Sequence, residues 1–157
     1  DQPAPGRMAT VNEAVLEDAP GDQFCTLAWA ALRRENGAVS AQVSCAGHPQ
    51  PFVVRSGGGV EAVAASGTLL GFFEDLRSAG ADVRLDPGDA LVLFTDGVTE
   101  ARLPDGSLFG SDGVRDALAA AHDHTADGLL DAIEHALDGA HAEARDDVAI
   151  VVGRVRA

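Results

Sequence analysis

The stretch that decides how this chain folds is Leu91-Val92-Leu93-Phe94-Thr95-Asp96-Gly97-Val98-Thr99-Glu100. Its four leading apolar residues are typical of a strand that is buried on both faces. The strand delivers Asp96 to its end, where a carboxylate on a rigid element is well placed to bind a hard cation or to move a proton. Gly97 follows directly, and glycine allows a sharp turn or the close approach of a ligand.

A second acidic position precedes another apolar run near the end of the chain. Asp146 and Asp147 open this run, which covers residues 148–152. The pattern therefore predicts two buried strands whose acidic ends share a metal site. The alternative is structural, since Asp-Gly is a common turn dipeptide and Asp often flanks strands without any chemical role.

The dipeptide Asn36-Gly37 predicts a two-residue hairpin loop between two strands. The register that follows from this loop places Cys25 opposite His48 and Cys45 opposite Ala28. The two thiols then lie at different positions and on opposite faces of the sheet, so we expect no disulfide. Unpaired cysteines favour a reducing compartment, and the predicted location is the cytoplasm.

The remaining pattern predicts antiparallel hairpins that are followed by helices. Strands are expected at residues 24–33, 38–46, 52–55, 60–63, 82–85, 90–95 and 147–155, and helices at residues 5–16, 111–121 and from the cap Thr125 to about 137. Because hairpins and helices are segregated along the chain, an α+β fold is favoured over alternating βαβ units. A length of 157 residues favours one domain over residues 1–157.

Charge and hydropathy exclude several classes of function. The net charge of −14 repels phosphate backbones and anionic lipids, so we expect no nucleic-acid or membrane binding. The same charge attracts divalent cations or basic partners. No apolar run approaches the length of a membrane span, and residues 1–5 lack the basic and apolar regions of a signal peptide. Without an initiator Met, the chain is expected to begin inside a larger protein.

Seven short segments, taken in order, resemble the metal-dependent serine/threonine protein phosphatases of the 2C type, and more narrowly their bacterial SpoIIE-like and RsbU-like branch. The segments are FCTL (24–27), CAGHPQP (45–51), LLG (69–71), LDPGD (85–89), FTDGVTEA (94–101), LFG (108–110) and DDVAIV (146–151). Any one of them is weak, but seven in the right order are specific. The resemblance implies an antiparallel β-sandwich with flanking helices and a centre of two Mn²⁺ or Mg²⁺ ions at one end.

The resemblance also assigns roles to individual residues. It implies that Asp96 and Asp146 are metal ligands and that no further protein side chain carries the chemistry. Gly97, Asp147 and His48 would support the ligands without binding the metal; Asp147 stands where the broader family has Asn. For His48 the alternative is a structural role, in which the ring only hydrogen-bonds its own loop.

One part of the family pattern is missing from this sequence. The family also uses an earlier acidic ligand in an Asp-Gly or Gly-Asp motif, and nothing before Phe24 supplies it. We therefore expect the C-terminal part of the domain, without its N-terminal strands and inactive by itself. Either this chain is a fragment, or the natural protein lacks that part. An unpaired sheet edge would also favour a homodimer.

The function that the resemblance implies is hydrolysis of phosphoserine or phosphothreonine on a regulatory phosphoprotein. An anti-sigma-factor antagonist of a bacterial stress response is the type of substrate expected. The alternative is a non-catalytic regulatory or interaction module that keeps the fold and has lost the metal centre.

Overall fold

A computed structural model describes residues 4–18 and 24–156. The helices and strands of these residues are α1 (Ala4–Asp18), β1 (Leu27–Glu35), β2 (Ala38–Ala46), β3 (Phe52–Val54), β4 (Val60–Ala62), β5 (Ser66–Gly67), β6 (Ser78–Leu85), β7 (Ala90–Phe94), α2 (Asp96–Thr99), α3 (Gly110–Ala120), α4 (Ala126–Gly139) and β8 (Ile150–Arg154). None of the described helices is long and apolar enough to cross a membrane.

The described residues group into two compact units. The first contains the residues up to Gln50 together with Val63–Arg84, and the second contains Pro51–Ala62 and the residues from Leu85 onwards. The first unit holds α1 and a sheet with the strand order β1-β2-β6-β5. The second holds the remaining helices and a sheet with the order β4-β3-β7-β8. The expectation of a single domain stays a prediction.

The hairpin β1–β2 has the register that its sequence predicts. Cys45 lies opposite Ala28, and the pairing runs without a bulge to the loop. Asn36 and Gly37 both have positive φ angles, 48° and 82°, as a type I′ turn requires. Cys25 and Cys45 are unpaired thiols, as expected.

Helix α1 packs in the first unit through the buried side chains of Met8 and Asn12. Met8 is fully buried and contacts Ala46 and Leu70. Asn12, one turn further along the helix, is also buried. Its Oδ1 accepts a hydrogen bond from the Gly71 backbone N–H at 2.8 Å. The predicted helix at residues 5–16 is confirmed and is slightly longer than expected.

The second sheet is built around β7. This strand pairs antiparallel with β3 on one side and with β8 on the other. Its residues Val92 and Phe94 are buried, and Phe94 stacks on Phe52 at a centroid distance of 5.8 Å. The buried faces of α3 and α4 cover this core, and the Thr125 hydroxyl caps α4 by accepting from the Gly128 N–H at 3.1 Å. The predicted buried strand, helices and cap are thus confirmed.

Two predictions about local structure are wrong. The run after Asp147 is not a buried strand, because β8 is the last strand in its sheet and Val151 is 62% exposed. Cys25 does not pair with His48; it forms an isolated bridge with Leu70, since β1 begins only at Leu27. The residues after β7 form a short helix, α2, about which the sequence pattern makes no prediction.

The α+β class with antiparallel sheets and accompanying helices is confirmed. Helices α3 and α4 pack on the core of the second unit, and α1 packs on that of the first.

Candidate metal centre

The first acidic side chain of the candidate centre lies where β7 passes into α2. Asp96 is the first residue of α2 and is half-buried. Its backbone carbonyl accepts from the Glu100 N–H at 2.7 Å and from the Thr99 hydroxyl at 3.2 Å. These bonds hold the backbone of Asp96 in the first turn of α2, at the end of a buried strand.

Gly97 lies directly against the second acidic segment. A Cβ atom at Gly97 would sit 2.5 Å from the Asp147 carbonyl oxygen and 3.0 Å from that of Asp146. Such distances are far below van der Waals contact, so only glycine permits this approach. The structure therefore brings the Asp96-Gly97 and Asp146-Asp147 segments together, as their positions beside β7 and β8 predict.

Asp146 and Asp147 are exposed, and a hydrogen bond joins the backbone of Asp147 to the side chain of Asp146. The Asp147 N–H donates to Oδ1 of Asp146 at 2.8 Å. This bond orients the Asp146 carboxylate and leaves its other oxygen for a further partner. Asp147 thus contacts the neighbouring carboxylate through its main chain.

The donor chemistry at this corner fits a hard divalent cation, because Asp96 and Asp146 offer carboxylate oxygens. The set is incomplete, however. Among residues 4–18 and 24–156, no group of three or more His, Cys, Asp or Glu side chains could hold a metal ion.

His48 belongs to the first unit. Its Nδ1 atom lies 3.0 Å from the Thr26 hydroxyl, at a hydrogen-bonding distance. This contact links the loop after β2 to the residues just before β1, so the ring bonds a residue outside its own loop. The role of His48 in supporting the ligands stays a prediction.

The sequence interpretation missed Thr95. Its hydroxyl donates to the Asp147 carbonyl at 2.8 Å and accepts from the Ala149 N–H at 2.9 Å. The only signal in the sequence is a hydroxyl residue directly before Asp96. Such residues are common at helix starts because their side-chain oxygen caps the helix.

The fold is that of the 2C-type serine/threonine phosphatase domain. It matches the phosphatase domain of SpoIIE from Bacillus subtilis with a TM-score of 0.69 and 20% identity, over 96% of this chain and 64% of that one. It matches the structure of the RsbU and RsbW domains of Rv1364c from Mycobacterium tuberculosis with a TM-score of 0.73 and 25% identity, over 99% of this chain and 43% of that one. The SiaA-PP2C domain of Pseudomonas aeruginosa matches with a TM-score of 0.65 and 18% identity, over 95% and 67% of the two chains.

The model of the family described as stage II sporulation protein E (SpoIIE) matches residues 2–156, and the chain belongs to this family. Protein IcfG from Synechocystis sp. is 30% identical over 116 residues, which is 74% of this chain and 18% of that protein. The chain thus spans less than two thirds of IcfG and of the first two solved relatives described above.

Proposed function

We propose that this chain forms part of a metal-dependent phosphoserine/phosphothreonine protein phosphatase and contributes Asp96 and Asp146 to its metal centre. The observation that carries the proposal is the contact between Gly97 and the carbonyls of Asp146 and Asp147 in a chain of this family. Without that contact, two acidic residues fifty positions apart would have no reason to act together.

In this proposal the two metal ligands, Asp96 and Asp146, are held in place by the backbone around them. Asp96 stands on the first turn of α2, and Asp146 is oriented by the N–H of Asp147. Bound Mn²⁺ or Mg²⁺ would supply Lewis acidity and an activated water, which spares the protein a nucleophile of its own. His48 belongs to the first unit and bonds Thr26 there, which supports a structural role for it.

The proposed substrate is a phosphorylated regulatory protein of the anti-sigma-factor-antagonist type, in a bacterial stress response. The likeness to a structure that contains an RsbU and an RsbW domain supports this choice. We propose a cytoplasmic location because both cysteines are free thiols. Nucleic-acid or membrane partners do not fit a net charge of −14.

A second candidate function is a non-catalytic regulatory module. It is favoured by one observation: the residues that the structure describes contain no cluster of three potential metal donors. Such a module would use the same fold to bind a partner without hydrolysing it.

Hydrolysis of p-nitrophenyl phosphate and of phosphoserine peptides with Mn²⁺ tests the proposal. It should be measured in the 157-residue chain and in the complete product of its reading frame. The chain alone should stay at background, because its described residues contain no group of three or more potential metal donors. The complete product should be active.

Asp96→Asn or Asp146→Asn in the complete product should lower activity by more than about 100-fold, whereas His48→Ala should cost far less. If the complete product binds its partner but hydrolyses no phosphoprotein, the regulatory module replaces the phosphatase. Mn²⁺-dependent turnover by the chain alone, lost in Asp96→Asn, would show that it contains a complete centre.

A further inference from the structure

Thr95 occupies the N-cap position of α2, but its hydroxyl does not cap the helix. An N-cap threonine ordinarily accepts a hydrogen bond from an N–H in the first helical turn. In α2 no such side-chain bond forms. The hydroxyl is directed across to the segment before β8.

The pairing of β7 with β8 explains why the hydroxyl is needed there. The last residue pair of the ladder is Phe94 with Ile150, and Thr95 with Ala149 would be the next. The Thr95 N–H donates to the Ala149 carbonyl at 3.0 Å, as in a regular ladder. The Thr95 carbonyl, however, accepts from the Val98 N–H at 3.1 Å within α2.

The Ala149 N–H would therefore lose its usual acceptor where α2 begins. The Thr95 hydroxyl takes the place of the carbonyl and accepts from Ala149 at 2.9 Å. It then donates its own proton to the Asp147 carbonyl at 2.8 Å. One side chain thus fixes the segment before β8 at two points, with Asp146 directly beyond them.

We infer that Thr95 is a positioning residue for the metal centre and acts by holding Asp146 and Asp147 against Asp96. This inference rests on the proposed function, because it gives Thr95 a role only if Asp96 and Asp146 bind a cation. Gly97 permits the close approach of the two segments. The hydroxyl of Thr95 supplies the attachment.

The exposure of the attached segment makes this role separable from stability. Residues 146–149 are all exposed, so water can replace the hydroxyl at both points if it is removed. The fold of the chain should survive that exchange, while the position of Asp146 would no longer be fixed. Loss of position without loss of fold is the signature of a positioning residue.

The test is nuclear magnetic resonance of the ¹⁵N-labelled 157-residue chain during addition of Mn²⁺, which broadens amide signals near its binding site. The variants form a matched pair: Thr95→Ser keeps the hydroxyl, and Thr95→Val keeps the shape without it. The wild-type chain and Thr95→Ser should show broadening around both Asp96 and Asp146. In Thr95→Val the apparent Mn²⁺ dissociation constant should rise by about tenfold, and broadening around Asp146 should weaken most.

Hydrogen exchange without metal provides a second measurement. The Ala149 amide should exchange faster in Thr95→Val than in Thr95→Ser, with the unfolding midpoint nearly unchanged. Ile133→Val is the control, because it is a conservative change in the buried core of the same unit. This variant should bind Mn²⁺ like the wild type even where its stability is lower.

Equal Mn²⁺ binding by Thr95→Val and the wild type would overturn the positioning role and leave the metal centre intact. Equal impairment of Thr95→Ser and Thr95→Val would also overturn it, because the hydroxyl would then be irrelevant. Absence of broadening around both Asp96 and Asp146 in the wild-type chain would remove the chain's proposed contribution to the metal centre, and the inference with it.

Discussion

A single hydrogen atom on the α-carbon of Gly97 separates α2 from the carbonyl groups of Asp146 and Asp147. The backbone there needs no unusual φ angle, so the requirement for glycine is one of space alone. Backbone carbonyl groups cannot rotate away as the end of a flexible side chain can. A side chain at position 97 must therefore push the two acidic residues away from Asp96.

Gly97→Ala should destabilise the chain by about 1–3 kcal/mol, because the added methyl group overpacks a backbone contact. It should also weaken Mn²⁺ binding, since the Asp146 segment moves. Urea denaturation and Mn²⁺ titration measure the two effects. Gly57→Ala is the control, because a Cβ there meets nothing within 4 Å. Wild-type stability and Mn²⁺ affinity in Gly97→Ala would show that the close contact has no consequence.

The two cysteines should differ sharply in reactivity. Cys45 is buried, and burial raises the pKa of its thiol to about 11. Cys25 is exposed. Since the thiolate is the reactive form, a disulfide reagent at about pH 8 should modify one thiol quickly and the second only after unfolding. Cys25→Ser should abolish the fast reaction, and fast labelling of Cys45 in that variant would contradict its burial.

At the scale of elements, the turn between β6 and β7 is fixed by one buried carboxylate. Asp89 accepts hydrogen bonds from the Ser56 N–H at 2.8 Å, the Arg55 guanidinium at 3.0 Å and the Asp86 N–H at 3.1 Å. The backbone carbonyl of Asp89 accepts a hydrogen bond from the N–H of Val155, just beyond β8, at 2.9 Å. Asp89 thus ties the turn to the loop after β3 and to the end of the chain's last strand.

Asp89→Asn should lower stability by about 1–3 kcal/mol at neutral pH. Burial alone would raise the pKa of Asp89, but the hydrogen bonds from Ser56, Arg55 and Asp86 outweigh it and the pKa is lowered. As the pH falls, the Asp89 carboxylate is therefore protonated in the unfolded chain before it is protonated in the folded chain. The stabilisation is lost below about pH 4.

Urea denaturation from about pH 7 down to about pH 3 checks this prediction. The difference between the wild type and Asp89→Asn should shrink as the pH falls through the lowered pKa. Asp131→Asn, an exposed position on α4, should show no such difference. A constant difference across the whole range would mean that the charge of Asp89 does not contribute.

The elements that the sequence predicts best are those that depend on local chemistry. The register of β1 and β2 follows from Asn36-Gly37. A type I′ turn needs positive φ at two successive residues, and few residue types adopt it readily. The two-residue strand β5 has no pattern of its own and exists only through its pairing with β6. The exposure of β8 depends on which strands flank it, and an apolar run alone cannot reveal that.

The same distinction applies to the candidate site. The proximity of the Asp96-Gly97 and Asp146-Asp147 segments could be predicted, because Asp96 follows β7, Asp146 lies shortly before β8, and the two strands pair. The side-chain bonds of Thr95 could not be predicted. They arise where the β7–β8 ladder ends and the Thr95 carbonyl accepts a hydrogen bond within α2 instead. Side-chain bonds at such a transition depend on three-dimensional geometry that no spacing encodes.

At the scale of the whole molecule, two surface properties oppose each other. The net charge of −14 keeps copies of the chain apart. Three of the six phenylalanines, however, are exposed: Phe24 by 60%, Phe72 by 61% and Phe73 by 46%. The bridge between Cys25 and Leu70 joins the residue after Phe24 to the segment that leads to Phe72, and the rings of Phe72 and Phe73 pack edge to face.

Self-association through these aromatic residues should therefore increase with salt. Added salt screens the repulsion between acidic copies and leaves the apolar attraction in place. Sedimentation equilibrium from about 0.01 M to about 0.5 M NaCl should show a growing dimer population. Replacing Phe72 and Phe73 together by Ser should restore the monomer, whereas Leu108→Ser, at a residue 48% exposed, should not. A monomer at every salt concentration would contradict the predicted homodimer, and association that weakens with salt would point instead to charged contacts between copies.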